Sequence, residues 1–190
     1  LVDAALAEGT AAQSILDALV EGMQLLGDDF SAGRAFVPEM LVAARAMNSA
    51  TDKLKPLLSS GERKSAGRVC IGTVRGDMHD IGKNLVRMMI ESKGFEVADL
   101  GVDVAPEQFV SFLQEHEDTD IVCCSALLTT TMPAIRATIE AIEAAGPRGN
   151  VKVMVGGAPV TQAFADEVGA DAYTPDAGAA AAEAAELVGA

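Results

Sequence analysis

From residue 1 to about residue 58, apolar side chains recur at helical spacing and no run reads as a strand. Ile15, Leu16, Leu19 and Val20 form one group, and Met23, Leu25 and Leu26 continue it. A further helix is predicted from about Val37, with Pro38 in its first turn, where a missing N–H costs nothing. Met40, Leu41, Ala44, Met47 and Leu54 share one face of it. Gly9, Gly22, Gly27 and Gly33 punctuate the segment, which reads as three or four short helices forming a small bundle. The stretch SSGERKSAG, residues 59–67, is small, polar and charged. It is expected to link a helical domain over residues 1–60 to a second domain over 68–190, with Gly61 and Gly67 as a hinge.

From Arg68 the rhythm changes. Strand-like runs fall at 68–74, 95–101, 120–126 and 152–157, with a short one at 171–174. Helical segments lie between them at about 82–93, 106–117, 131–145, 160–168 and 176–188. Such alternation predicts a parallel sheet covered on both faces. Five strands fit an α/β, flavodoxin-like (Rossmann-like) domain better than a full dinucleotide-binding one. Ligands in such folds bind beyond the carboxyl ends of the strands. The loop after the first strand is therefore where chemistry is expected.

Composition narrows the function. Hydrophobic residues make up 49% of the 190, enough for a real core. No apolar run approaches the roughly 20 residues that span a bilayer, so no membrane partner is expected. The opening LVDAALAEG has no basic start before an apolar stretch, so no signal peptide is expected in it. Acidic residues outnumber basic ones by 28 to 14, which opposes nucleic acid as a partner. Cys70, Cys123 and Cys124 form no CxxC pair and sit in apolar runs. They read as buried, reduced thiols suited to the cytoplasm, and a zinc site is not supported. His116 reads as part of a solvated helix end, and the alanine-rich tail as an ordinary helix.

The loop reads G-D-M-H-D-I-G-K-N, from Gly76 to Asn84. Imidazole is a common metal ligand whose second nitrogen needs a partner to fix its tautomer, and a carboxylate is a standard one. Asp77, two residues before His79, is close enough to serve. Gly82 would let a bulky ligand approach the backbone. The bland alternative is a strand-to-helix turn in which Asp80 caps the helix. One histidine cannot hold a bare metal ion firmly, but it can if a macrocycle supplies the remaining ligands.

DMHDIG resembles the D-x-H-x-x-G signature of cobalamin-binding domains. The longer GDMHDIGKNLV resembles the same segment of cobalamin-dependent methionine synthase and of corrinoid methyltransferase proteins. SALLT, from Ser125 to Thr129, resembles the family's S-x-L-x-T, and Gly156-Gly157 its G-G pair. FSAGRAFVPEMLVAARAM resembles the family's helical cap, so the likeness spans nearly the whole chain.

That resemblance implies cobalamin or a related corrinoid as cofactor (methylcobalamin, cycling through Co(I), Co(II) and Co(III)), with His79 as the lower axial ligand. Met78, Asp80 and Ile81 come with the motif. Asp77 would hydrogen-bond the ring's other nitrogen, and Ser125 could extend the relay to solvent. Ser125, Leu127 and Thr129 would line a groove for the nucleotide tail, with Thr131 and Met132 near its mouth. Gly156 and Gly157 would leave room for that tail, and Tyr173, Asp176 and Ala177 would border its base. Phe30 and Val37 match cap positions over the methyl side, with Phe36 as an alternative. The implied function is to carry a methyl group on cobalt between a substrate-specific methyltransferase and a second methyltransferase with a tetrahydrofolate or thiol acceptor. A reductive activase is a further implied partner. The chain would be the methyl-carrying subunit and not a complete enzyme, since no room remains for a substrate barrel of about 250 residues. Alternative readings are the cofactor module of a mutase and a cobalamin-binding sensor. The absence of tryptophan disfavours the sensor, and the cap and IGKN disfavour the mutase. No phosphate-binding motif supports a flavin or phosphate binder.

Overall fold

In the computed structural model, which describes residues 1–54, Leu57 and residues 66–189, the chain divides into two compact units. The first is built on α1 (Val2–Ala7), α2 (Ala12–Ser31) and α3 (Val37–Leu54). Ile15, Leu16 and Leu54 are buried together, with Leu19, Val20 and Met47 packed against them. Pro38 sits in the first turn of α3, and Glu39 folds back to accept the Phe36 N–H at 2.7 Å, satisfying a donor that the helix leaves open. Leu25 and Leu41 differ from expectation and are exposed. Met40, Ala44, Met47 and Leu54 follow a spacing of four, three and seven. Leu41 is a residue out of that phase and turns outward.

The second unit is a parallel sheet in the order β2-β1-β3-β4-β5. Its strands are β1 (Arg68–Val74), β2 (Glu96–Val104), β3 (Ile121–Ser125), β4 (Lys152–Gly156) and β5 (Ala172–Tyr173). The helices α4 (Ile81–Ser92), α5 (Pro106–Glu115), α6 (Met132–Ala145), α7 (Gln162–Val168) and α8 (Ala177–Val188) alternate with them. This is the flavodoxin-like arrangement expected. The central strands β1, β3 and β4 are almost continuously buried, as strands covered on both faces must be. Ile135, Ile139 and Ile142 supply the buried stripe of α6 at spacings of four and three. On β1, Gly72 makes room for Phe109, whose ring would lie 2.7 Å from an added Cβ.

Strand β2 runs three residues beyond the predicted end at Gly101. Gly101, Asp99 and Asp103 break the apolar pattern, which is why the pattern alone stops short. The predicted linker lies outside the described residues except for Ala66 and Gly67. Gly67 already belongs to the sheet: its carbonyl accepts the Glu96 N–H at 3.0 Å and Asp120 lies against it. His116 is half-buried rather than solvated. Its Nδ1 accepts from Arg68 at 3.0 Å and its ring lies 4.4 Å from that of Phe112, at the amino ends of the strands. All three cysteines are free and buried. Burial pushes the Cys123 thiol up to about 12 and those of Cys70 and Cys124 well up, so none is a reactive thiolate.

Gly157 has its reason inside the fold. Its φ is +125°, and an added Cβ would stand 1.8 Å from the Ala126 carbonyl oxygen. The residue lets β4 leave the sheet tightly against the loop after β3, whatever else it makes room for. Gly157→Ala combines overlap with a backbone that L-residues rarely adopt, and is expected to destabilise the protein by roughly 3 kcal/mol or more. Urea unfolding of the cofactor-free protein checks this; an unchanged midpoint would contradict it.

Candidate functional site

The loop between β1 and α4 leaves the sheet where β1 lies between β2 and β3, the point at which strand order reverses. Thr73, buried in β1, donates to the His79 carbonyl at 2.8 Å and fixes the height of that residue above the strand. Asp77 is fully buried. Its Oδ1 accepts from His79 Nδ1 at 2.7 Å and from the His79 backbone N–H at 3.1 Å. Its Oδ2 accepts from the Leu127 N–H at 2.7 Å, the Thr131 hydroxyl at 2.7 Å and, more weakly, the Leu128 N–H at 3.3 Å.

These bonds fix the state of the pair. Burial raises the Asp77 carboxyl, but the donors from Thr131, Leu127 and His79 outweigh it and hold the group well below the usual carboxylate range. Asp77 is therefore ionised and can only accept hydrogen bonds. The proton between the two side chains must sit on His79 Nδ1. In the neutral ring that leaves Nε2 with its lone pair, and the His79 side chain is 52% exposed. A carboxylate behind an exposed imidazole is the partner that metal-ligating histidines usually have, so His79 could hold a metal. Among the described residues, no group of three or more His, Cys, Asp or Glu side chains could hold a metal ion. A metal on His79 has to bring its other ligands with it.

The surroundings fit a large, flat, partly apolar group. Met78 and Ile81 on the same loop are 68% and 82% exposed, and Leu127 and Leu128, whose N–H groups face Asp77, are 42% and 43% exposed. Gly82 stands in the first turn of α4, where an added Cβ would meet nothing within 4 Å. Neither packing nor a positive φ requires glycine there, so the missing side chain leaves room for something outside the chain. Asp80, exposed just before α4, accepts the Asn84 N–H on its carbonyl at 2.8 Å.

The register sets Thr73, Ser125 and Gly156 in one row across the carboxyl ends of β1, β3 and β4. Tyr173 on β5 pairs with Val155, one step below that row. Thr129 is exposed and Met132 half-buried at the start of α6. Asp176 caps α8, accepting the Ala179 N–H at 2.8 Å, and Ala177 is buried. Phe30, in the last turn of α2, is half-buried; Phe36 and Val37, at the start of α3, are exposed, and all three belong to the helical unit.

The relay differs from expectation. Thr131, not Ser125, touches Asp77: its hydroxyl reaches Oδ2, while Ser125 ends β3 one row back. The sequence reading also passes over Lys83 and Asp99. Lys83, almost wholly buried, donates from Nζ to both oxygens of Asp99 at 2.6 Å and to Asn84 Oδ1 at 2.9 Å. The pair ties the first turn of α4 to β2. Its signal was present: Lys83 lies seven residues before buried Ile90, on the face the helix buries.

A family model described as a B12 binding domain matches residues 67–186, and a second with the same description matches residues 1–55. The dimethylamine corrinoid protein 1 of Methanosarcina acetivorans is 46% identical over 171 residues, covering 90% of this chain and 80% of that protein. The trimethylamine corrinoid protein 2 of the same organism is 49% identical over 154 residues, covering 80% of this chain and 70% of that protein. A chain of the methanol:cobalamin methyltransferase complex of Methanosarcina barkeri superposes with a TM-score of 0.90 at 29% identity, covering 98% of this chain and 71% of that one.

Gly82 separates the demands of the fold from those of the cofactor. Gly82→Leu has open space and a better helix former, so the cofactor-free protein should melt no lower than wild type. Its corrinoid affinity should fall at least about tenfold, as expected when a side chain occupies space the ligand needs. Calorimetric titration together with thermal melting checks both parts.

Proposed function

This chain belongs to the B12-binding domain family, and from that footing we propose that His79 Nε2 is the lower axial ligand to the cobalt of a bound corrinoid. The chain is a corrinoid protein that carries a methyl group between methyltransferases. The observation that carries the reading of the site is the His79–Asp77 pair: an exposed imidazole whose Nδ1 proton is held at 2.7 Å by a buried, ionised carboxylate. When bound, the corrinoid supplies a cobalt that accepts a methyl group and gives it up again.

The remaining work falls to the chain's own residues. Asp77 holds the Nδ1 proton and aims the ring. Thr131 and the Leu127 N–H keep Asp77 ionised and still. Met78, Ile81, Leu127 and Leu128 would offer apolar surface to a bound macrocycle and limit water around His79. Ser125, Thr129, Gly156 and Tyr173 stand along or beside the carboxyl row, where the nucleotide tail would lie.

One partner is a methyltransferase that loads the methyl group. The names of the amine-dependent relatives make a methylated amine the first donor to test. The unloading partner would be a second methyltransferase with a thiol or tetrahydrofolate acceptor, and a reductive activase would restore oxidised cobalt. No helix among the described residues is long and apolar enough to cross a membrane, and three buried reduced thiols suit the cytoplasm.

Titrating the cofactor-free protein with cobalamin should show uptake with displacement of the cofactor's own base in the absorption spectrum. His79→Ala should bind without that displacement. Asp77→Asn should keep the ligand but lose about 10- to 100-fold in affinity, the usual effect of removing a partner behind a metal ligand. No uptake by the wild type, or unchanged base displacement in His79→Ala, would sink the assignment. Methylation by purified methylamine methyltransferases with each amine in turn identifies the donor.

A further inference from the structure

Strand β2 is out of step with β1 at two places. Ile71 pairs with Asp99, Gly72 with Gly101, and Val74 with Val104, so β2 spends one extra residue at each shift. Bulges of this kind re-aim a side chain, and they gather beside functional sites. Here the second shift lifts Asp103 towards the loop that carries His79. Asp103 has φ +53°, and it is the non-glycine residue with positive φ among those described. Its Oδ1 accepts the Gly76 N–H at 2.7 Å, and its own N–H donates to the Asp77 carbonyl at 2.9 Å. The two bonds clasp the consecutive residues Gly76 and Asp77, which Met78 separates from His79. Asp103 is exposed, so its side-chain bond to the Gly76 N–H competes with water and adds little to global stability. A strained residue at an exposed site, bonded twice to one loop, calls for a reason beyond the fold.

We propose that Asp103 is a positioning residue for cobalt ligation: it fixes the Gly76–Asp77 backbone so that the Asp77 carboxylate meets Nδ1 of His79 in the ligating orientation. The inference rests on the reading of His79 as the axial ligand. Asp77 is held at its side chain from β3 and α6 and at its backbone from β2. The Asp103 side chain adds the bond to the Gly76 N–H; releasing it loosens the turn that presents Asp77, so the carboxylate, and the imidazole with it, is held less firmly.

The test uses the full chain loaded to saturation with cobinamide, which has no lower base of its own, reduced to Co(II). Nitrogen splitting in its electron paramagnetic resonance spectrum, counted per bound cobalt, then reports protein ligation independently of how much protein is folded. Asp103→Asn keeps an acceptor oxygen and tolerates positive φ, and should match wild type. Asp103→Gly adopts that φ freely but has no acceptor. It should melt no lower than wild type in cofactor-free form, yet show a reduced nitrogen-split fraction and about tenfold weaker cobinamide binding. A glycine variant with wild-type splitting and affinity would overturn the proposal, as would an asparagine variant that falls as far as the glycine one. Absence of nitrogen splitting in the wild type would instead overturn the assignment of His79 itself.

Discussion

A carboxylate sealed from water has to be satisfied by the protein alone, and Asp77 is where this chain accepts that constraint. Five donors converge on its two oxygens: two from His79, the Leu127 and Leu128 amides, and the Thr131 hydroxyl. Without the donors, burial alone would raise the carboxyl and disfavour the charged form that accepts the His79 Nδ1 hydrogen bond. Keep them, and the imidazole has one tautomer and one direction. The direction of Nε2 is thus set by groups from the loop after β1, the loop after β3 and the start of α6.

The sheet is what brings those groups together. Parallel strands put every carboxyl end on one edge, and the reversal of order beside β1 opens a gap between the loops after β1 and β3. Lys83 and Asp99 fasten the helix that follows His79 to β2, and Asp103 fastens the residues that precede it. The loop is therefore braced before and after His79 by the edge strand, and beneath it by Thr73. Its apolar residues Met78 and Ile81 stay exposed.

Much of this was legible in the sequence, because alternating strand and helix rhythm is a strong signal and the motif pieces are local. The sheet, its strand count and the D-x-H pairing all follow from short-range pattern. What was not legible depends on contacts between distant segments. The spacing of Ser125 and Thr131 cannot tell which hydroxyl reaches Asp77; that depends on how the loop after β3 turns into α6. Gly156-Gly157 reads as space for a ligand, while Gly157 answers first to the Ala126 carbonyl. The clasp by Asp103 needs two register shifts that no periodicity discloses. Lys83 was within reach, since a lysine on a buried helical face requires a partner.

The central claim is that the nitrogen beneath the cobalt belongs to His79. The chain has two histidines, and His116 is occupied with Arg68 at the opposite end of the sheet. Protein grown with nitrogen-15 histidine and loaded with unlabelled cobalamin therefore gives a direct answer in the Co(II) paramagnetic resonance spectrum. Ligation by His79 predicts that each triplet splitting from nitrogen-14 becomes a doublet. A triplet that survives the labelling would show that the cofactor's own base still holds the metal, and would contradict the account.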